Sequence, residues 1–157
     1  MLLRAALLTL VWIPAAVAVA DTAPCHVDVY VSGTEGYFAF RIPAIETAAD
    51  GSLLAFAEAR KYNLDDPGYG KQDIDLVLRR STDQGRTWSP MQVIEDPGEL
   101  WSAANPATIV DRQTGRVWLF YLRCKPERNT GTARPGTDDT QVIMRWSGDH
   151  GVTWSEP

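Results

Sequence analysis

Short apolar runs alternate with turn-rich polar stretches from Phe38 onwards, and no run carries the three-to-four spacing of an amphipathic helix. The pattern predicts strands over Phe38–Thr47, Ser52–Arg60 and Asp73–Ser81, with a fourth beginning near Met91. Gly51, the Gly- and Pro-bearing acidic loop from Asp65 to Asp73, and the Gly85 turn punctuate them. Strands joined in this way run antiparallel to their neighbours. An all-β chain follows.

The pattern then recurs. Pro43-Ala44 is matched by Pro106-Ala107, Gly51 by Gly115, and Arg60, at the end of the second run, by Arg123. Ser81-x-Asp83-x-Gly85-x-Thr87-Trp88 returns as Ser147-x-Asp149-x-Gly151-x-Thr153-Trp154. All four landmarks keep one order and nearly one spacing. That spacing is slightly wider at the last landmark, which places a small insertion in the loop after Arg123. A repeated unit of about four short strands is the signature of a β-propeller blade. Blade one is expected over about 37–100 and blade two over about 101–157.

The Ser-x-Asp-x-Gly-x-Thr-Trp turn has a structural rationale. Serine and aspartate oxygens can accept backbone N–H groups within a tight turn. Glycine takes a positive φ without steric cost, and the tryptophan buries a large ring beside the strands. Asp83 and Asp149 are therefore read as structural.

Strand alternation decides which residues can meet. The start of strand one, the end of strand two and the loop 61–72 share one face, and the Asp83 turn lies on the other. Arg41, Arg60, Asp65 and Asp66 converge on the first face. Arginine suits two-point recognition of a carboxylate, and a carboxylic acid beside it can donate a proton. The plainer alternative is a strand arginine paired with a neighbouring acid, with Asp65 and Asp66 as solvated turn residues.

Residues 1–20 read as a secretion signal: Arg4, an apolar run Leu7–Val19, and Ala18-Val19-Ala20 before Asp21. The run is short and holds Pro14, so no transmembrane span is expected in the mature chain. That chain is expected to begin near Asp21 with a lead-in strand over 21–36, and to work in a secreted, periplasmic or otherwise extracytoplasmic setting. A composition of 45% apolar and 10% aromatic residues is that of a folded globular chain. The net charge of −5 argues against a nucleic-acid partner, so an anionic ligand would be met by a few placed arginines. Cys25 and Cys124 either pair or are both buried thiols. His26 and His150 lie far apart with no ligand spacing around them, so neither a metal nor another cofactor is expected.

Phe40-Arg41-Ile42-Pro43 resembles the Phe/Tyr-Arg-Ile-Pro motif of exo-α-sialidases (neuraminidases). Leu54-Ala55-Phe56-Ala57-Glu58-Ala59-Arg60 is similar to that family's following strand, and Asp73–Ser81 to the strand before its first Asp-box. The repeated turn resembles the Asp-box itself. The resemblance covers nearly all of residues 37–157 and implies a six-bladed propeller, of which this chain would hold about the first two blades. It further implies a retaining glycosidase releasing terminal sialic acid from glycoconjugates. Arg41 then matches the first of three arginines gripping the sialic acid carboxylate, and Arg60 the arginine bordering the sugar. Asp66, followed by Pro67, matches the acid/base, with Asp65 the adjacent alternative. Asn105 matches a residue at the site rim where many members have aspartate. The family's nucleophile is a tyrosine assisted by a glutamate, an exception to the paired-carboxylate scheme. That pair and the other two arginines belong to later blades, so Tyr37, Tyr62, Tyr69 and Tyr121 are not given the role. The chain by itself is expected to be inactive. The alternatives are another propeller glycosidase sharing the Asp-box, or a non-catalytic sugar-binding propeller.

Overall fold

The computed structural model describes residues 26–157; the signal segment at 1–20, the expected start near Asp21 and Cys25 lie outside them. Seven strands follow in order: β1 Ala39–Thr47, β2 Leu53–Arg60, β3 Ile74–Ser81, β4 Gln92–Glu95, β5 Ser102–Val110, β6 Val117–Cys124 and β7 Thr140–Ser147. The first four begin within one residue of the positions that the apolar pattern predicts. β1 to β4 pair antiparallel as one meander, and β5 to β7 as a second. A single parallel bridge, Ile74 to Ser102, joins them into one sheet path. These are two consecutive propeller blades, with β1 and β5 side by side as their first strands.

Period-two alternation explains the packing. Leu54 and Phe56 of β2, with Leu76 and Leu78 of β3, face blade two and meet Val117, Leu119 and Tyr121 of β6. The opposite face of β2 carries Ala55, Ala57 and Ala59. These small residues leave room for the aromatic cover of Tyr30, Tyr37 and Phe40. Tyr30 and Phe40 stack at 5.0 Å, and the Tyr30 hydroxyl donates to the Ala55 carbonyl at 2.8 Å. The expected lead-in strand is absent over residues 26–36. Turns occupy its place, with Gly33 and Gly36 at φ of 81° and 84°. Side chains anchor this segment, and no strand pairing is needed.

The pairing register corrects one repeat match. Ala39 pairs with Arg60, and its counterpart in blade two, Ser102, pairs with Cys124. Arg60 therefore corresponds to Cys124, and Arg123 corresponds to Ala59. One of the inserted residues lies in the turn between β5 and β6, and the others follow β6. A one-residue slip sends a side chain to the other sheet face. Arg123 accordingly faces blade one, where its guanidinium and that of Arg145 grip the buried Glu95 carboxylate. Burial alone would raise Glu95; hydrogen bonds from Arg145, Arg123 and Tyr121 outweigh it and hold the carboxyl below its usual range.

Both Asp-box turns are built alike. Ser81 Oγ donates to Asp83 Oδ1 at 2.8 Å and accepts from Gly85 N at 2.9 Å. Asp83 in turn accepts from Thr87 N at 2.8 Å and Thr87 Oγ1 at 2.6 Å. Ser147, Asp149, Gly151 and Thr153 repeat the arrangement. Gly151 also has a packing reason: a Cβ there would lie 2.6 Å from a Leu54 methyl of blade one. Trp154 packs edge-on against Phe56 at 5.7 Å.

The threonine hydroxyl and N–H groups hold Asp83 and Asp149 at about 2. Both lie below an ordinary aspartate, so their contribution to stability is complete above about pH 4 and lost as pH falls through about 2. Replacing both by asparagine should therefore destabilise the fold at pH 5 and matter progressively less towards pH 2. Denaturant titrations across that range check this; a pH-independent difference would contradict it.

Candidate functional site

The site face carries two matching β-bulges. β1 shifts register between Arg41 and Ala44, and β5 between Ala104 and Ala107. The residue before proline is left-handed in both, Ile42 at φ 50° and Asn105 at φ 56°. A positive φ is a rarity for a β-branched residue such as Ile42. Bulges re-aim neighbouring side chains. Here Arg41 swings over the loop that follows β2.

That loop is shaped from below by a buried ion pair. Glu58 and Arg60, two residues apart on one face of β2, are both fully buried. Glu58 Oε2 accepts from Arg60 Nη2 at 2.6 Å and Nε at 3.0 Å, while Oε1 accepts from Asn105 N at 2.9 Å. Arg60 Nη1 donates to the carbonyls of Leu64 and Asp65 at 2.5 and 2.6 Å. All five Arg60 donors are used once Nη2 meets Asp66 Oδ1 at 3.4 Å. Gln72, also buried, donates to Asn63 Oδ1 at 2.9 Å and to the Asp65 carbonyl. At the loop base Lys61 Nζ lies 2.8 Å from Asp73 and 3.3 Å from Asp75. Burial lifts the Asp75 carboxyl above its usual range, against hydrogen bonds from Tyr37 and Lys61.

With the Leu64 and Asp65 carbonyls turned inward, the next residue presents its side chain outward. Asp66 Oδ1 accepts from Arg41 Nη1 at 3.2 Å, and Arg41 Nη1 also donates to Leu64 O at 2.8 Å. Arg41 Nε and Nη2 have no partner among the described residues. Asp66 opens a turn with Pro67 and Gly68 in its centre, closed by Tyr69 N donating to Asp66 O at 3.0 Å. Gly68 sits at φ 76°, and a Cβ there would lie 1.9 Å from the Arg128 carbonyl of blade two. Only glycine fits, so the acid's turn is wedged against the neighbouring blade.

Arg41, Arg60 and Asp66 thus border one cavity of about 320 Å³, together with Asn105, Tyr69 and Thr130. Asp65 offers its carbonyl to Arg60 and does not line the cavity. Asp83 and Asp149 lie in the turns after β3 and β7, away from it. Cys124 lines the cavity as a buried thiol, its sulfur accepting from Thr140 Oγ1 at 3.7 Å. A Tyr–Glu pair exists, with Tyr121 donating to Glu95 at 3.0 Å, but both are buried between the blades outside the cavity. Among the described residues no three His, Cys, Asp or Glu side chains are arranged to hold a metal ion, and no helix is long and apolar enough to cross a membrane.

Sequence reasoning gave Glu58 no role. The signal was a carboxylate inside an apolar strand, two residues before an arginine and hence on the same face. Such an acid can be buried only if paired.

Residues 51–157 match the BNR repeat-like domain family. The chain is 37% identical over 136 residues to a sialidase of Micromonospora viridifaciens, covering 82% of this chain and 20% of that protein. It is 34% identical over 120 residues to a sialidase of Paraclostridium sordellii, covering 74% and 29%. The structure of the Hadza microbial sialidase Hz136 superposes with a TM-score of 0.67 at 29% identity, over 80% of this chain and 27% of that one. A leech intramolecular trans-sialidase shares the fold at 15% identity, with a TM-score of 0.63 over 86% of this chain and 37% of that one. The chain spans about a fifth of the length of the first of these relatives and under a third of the second.

Replacing Glu58 by alanine strands a buried guanidinium and frees the bulge at Asn105. The unfolding free energy should fall by about 3–5 kcal/mol, the range for breaking one side of a buried pair. Chemical denaturation measures it, and a loss under about 1 kcal/mol would show that the pair does not organise the site.

Proposed function

The chain belongs to the BNR repeat-like domain family, and on that footing we propose that the whole protein is an exo-α-sialidase that removes terminal sialic acid from glycoconjugates. One observation carries the reading: a guanidinium with a free two-donor edge and an exposed carboxylate face the same cavity. Arg41 keeps Nε and Nη2 for a planar two-point bond to the carboxylate of the sugar. Arg60, saturated by Glu58 and the loop carbonyls, borders the sugar as a fixed positive charge and does not grip it. Asn105 forms part of the rim.

In this mechanism the protonated Asp66 donates to the glycosidic oxygen as the bond to the anomeric carbon breaks. The leaving group departs as an alcohol. As the glycosidic bond breaks, the nucleophilic tyrosine oxygen bonds to the anomeric carbon and its proton passes to the paired glutamate. Water then displaces the tyrosine, giving a proton to the Asp66 carboxylate while the tyrosine recovers its own, which completes a retaining cycle. Among the described residues Tyr121 and Glu95 pair but are buried between the blades, so the tyrosine–glutamate nucleophile that the resemblance implies is not assigned to them. An extracytoplasmic setting agrees with the signal-like segment at 1–20.

The test uses the leaving group. Sugar hydroxyls leave poorly without a proton, whereas an acidic phenol needs little help. In the whole protein Asp66→Ala should slow single-turnover cleavage of sialyl-lactose by roughly 100-fold or more, the usual worth of general acid catalysis. An aryl sialoside should suffer far less. Asp65→Ala should be mild on both. Equal losses on both substrates for Asp66→Ala would remove Asp66 as the acid, and a selective loss in Asp65→Ala would move the role one residue upstream. Tight sialoside binding without turnover by the wild type would favour a sugar-binding propeller.

A further inference from the structure

Beyond the sugar and its acid, the cavity holds one aromatic ring without a stacking partner. Tyr62 and Tyr69 flank Asp66 in the same loop and are 40% and 49% exposed. The face of Tyr62 is covered by the Lys71 ammonium at 4.0 Å. Among the described residues no aromatic ring or cation stacks on Tyr69, and it lines the cavity.

Its position is fixed relative to the acid. Asp66 and Tyr69 are the first and fourth residues of one hydrogen-bonded turn, which brings their Cα atoms within about 7 Å. Pro67 restricts the first central φ, and Gly68 is jammed against the Arg128 carbonyl. The backbone that carries the ring cannot drift from Asp66 without breaking that wedge. Arg41 reaches Asp66 from β1, whereas the Tyr69 hydroxyl leans to the blade-two loop, 3.7 Å from where a Cβ on Gly131 would sit.

We propose that Tyr69 is the platform for the leaving group, stacking on the apolar face of the hexose to which sialic acid is attached. This rests on the sialidase reading above. The glycosidic oxygen must lie at Asp66, so the departing sugar begins one bond beyond it. A sugar ring spans the distance from there to a residue in the same turn. Its C–H face packs on an exposed phenol ring, and the tyrosine loses little side-chain freedom on binding because only two torsions are fixed. The ring acts on substrates that carry a sugar leaving group and is idle when there is none.

The experiment compares 3′-sialyllactose with α-sialyl fluoride, which lacks a leaving sugar and expels fluoride without a proton. Using the whole protein, Tyr69→Ala should lower kcat/KM on sialyl-lactose about tenfold or more, the scale of a lost apolar contact in substrate discrimination. On sialyl fluoride it should stay within about twofold. Tyr69→Phe should retain both activities, since the ring and not the hydroxyl does the stacking. Equal loss on both substrates, or no loss on sialyl-lactose, would overturn the proposal. If the wild type cleaves neither substrate, the sialidase reading falls first and this one with it. Thermal melting of the variants separates misfolding from lost contact, because an exposed ring should leave the melting temperature nearly unchanged.

Discussion

The buried Glu58–Arg60 pair is the constraint on which the site face depends. Two charges out of water persist only when nearly every lone pair and proton is satisfied. Glu58 meets this by taking both Arg60 and the Asn105 N–H of the next blade. Arg60 meets it by drawing two consecutive loop carbonyls inward. One pair therefore fixes the loop after β2, the bulge in β5 and the outward direction of Asp66. Specificity of arrangement, more than net stability, is what such a pair supplies.

A second set of polar ties joins the blades. Arg80 of β3 donates to the His150 carbonyl at 2.9 Å and to Asp50 and Ser52 of its own blade. Glu95 of β4 takes Arg123 and Arg145 of blade two. Between these ties lies the apolar layer of Phe56, Leu76 and Leu119. The cavity sits at one rim of this interface, so its two walls come from different blades. At Gly68 the backbones of the two walls come close enough that no side chain fits against Arg128.

Much of this was legible in the sequence because period-two alternation and turn residues act locally. The strand limits, the two Asp-boxes and the meeting of Arg41 with Asp66 all follow from local signals and strand alternation. What was not legible depends on register or on partners distant in the chain. Arg123 looked like a second Arg60, but one inserted residue before β6 turned it to the other face. Asp65 and Asp66 are indistinguishable as neighbours until the fold sets the Asp66 carboxylate on Arg41 and at the cavity. Arg60 read as an arginine bordering the sugar, without a sign that all its donors would be used within the protein. The lead-in read as a strand, whereas Tyr30 and Tyr37 dock it by their side chains.

The free edge of Arg41 is the feature on which the functional reading turns. The direct test is a crystal structure of the whole protein with the unsaturated glycal of sialic acid bound. The predicted result is the glycal carboxylate held by Arg41 Nε and Nη2, at about 2.7–2.9 Å as charge-assisted bonds require. The Asp66 carboxylate should face the anomeric end of the ring. A glycal bound elsewhere, or one whose carboxylate ignores Arg41 and lies on other groups, would contradict the assignment.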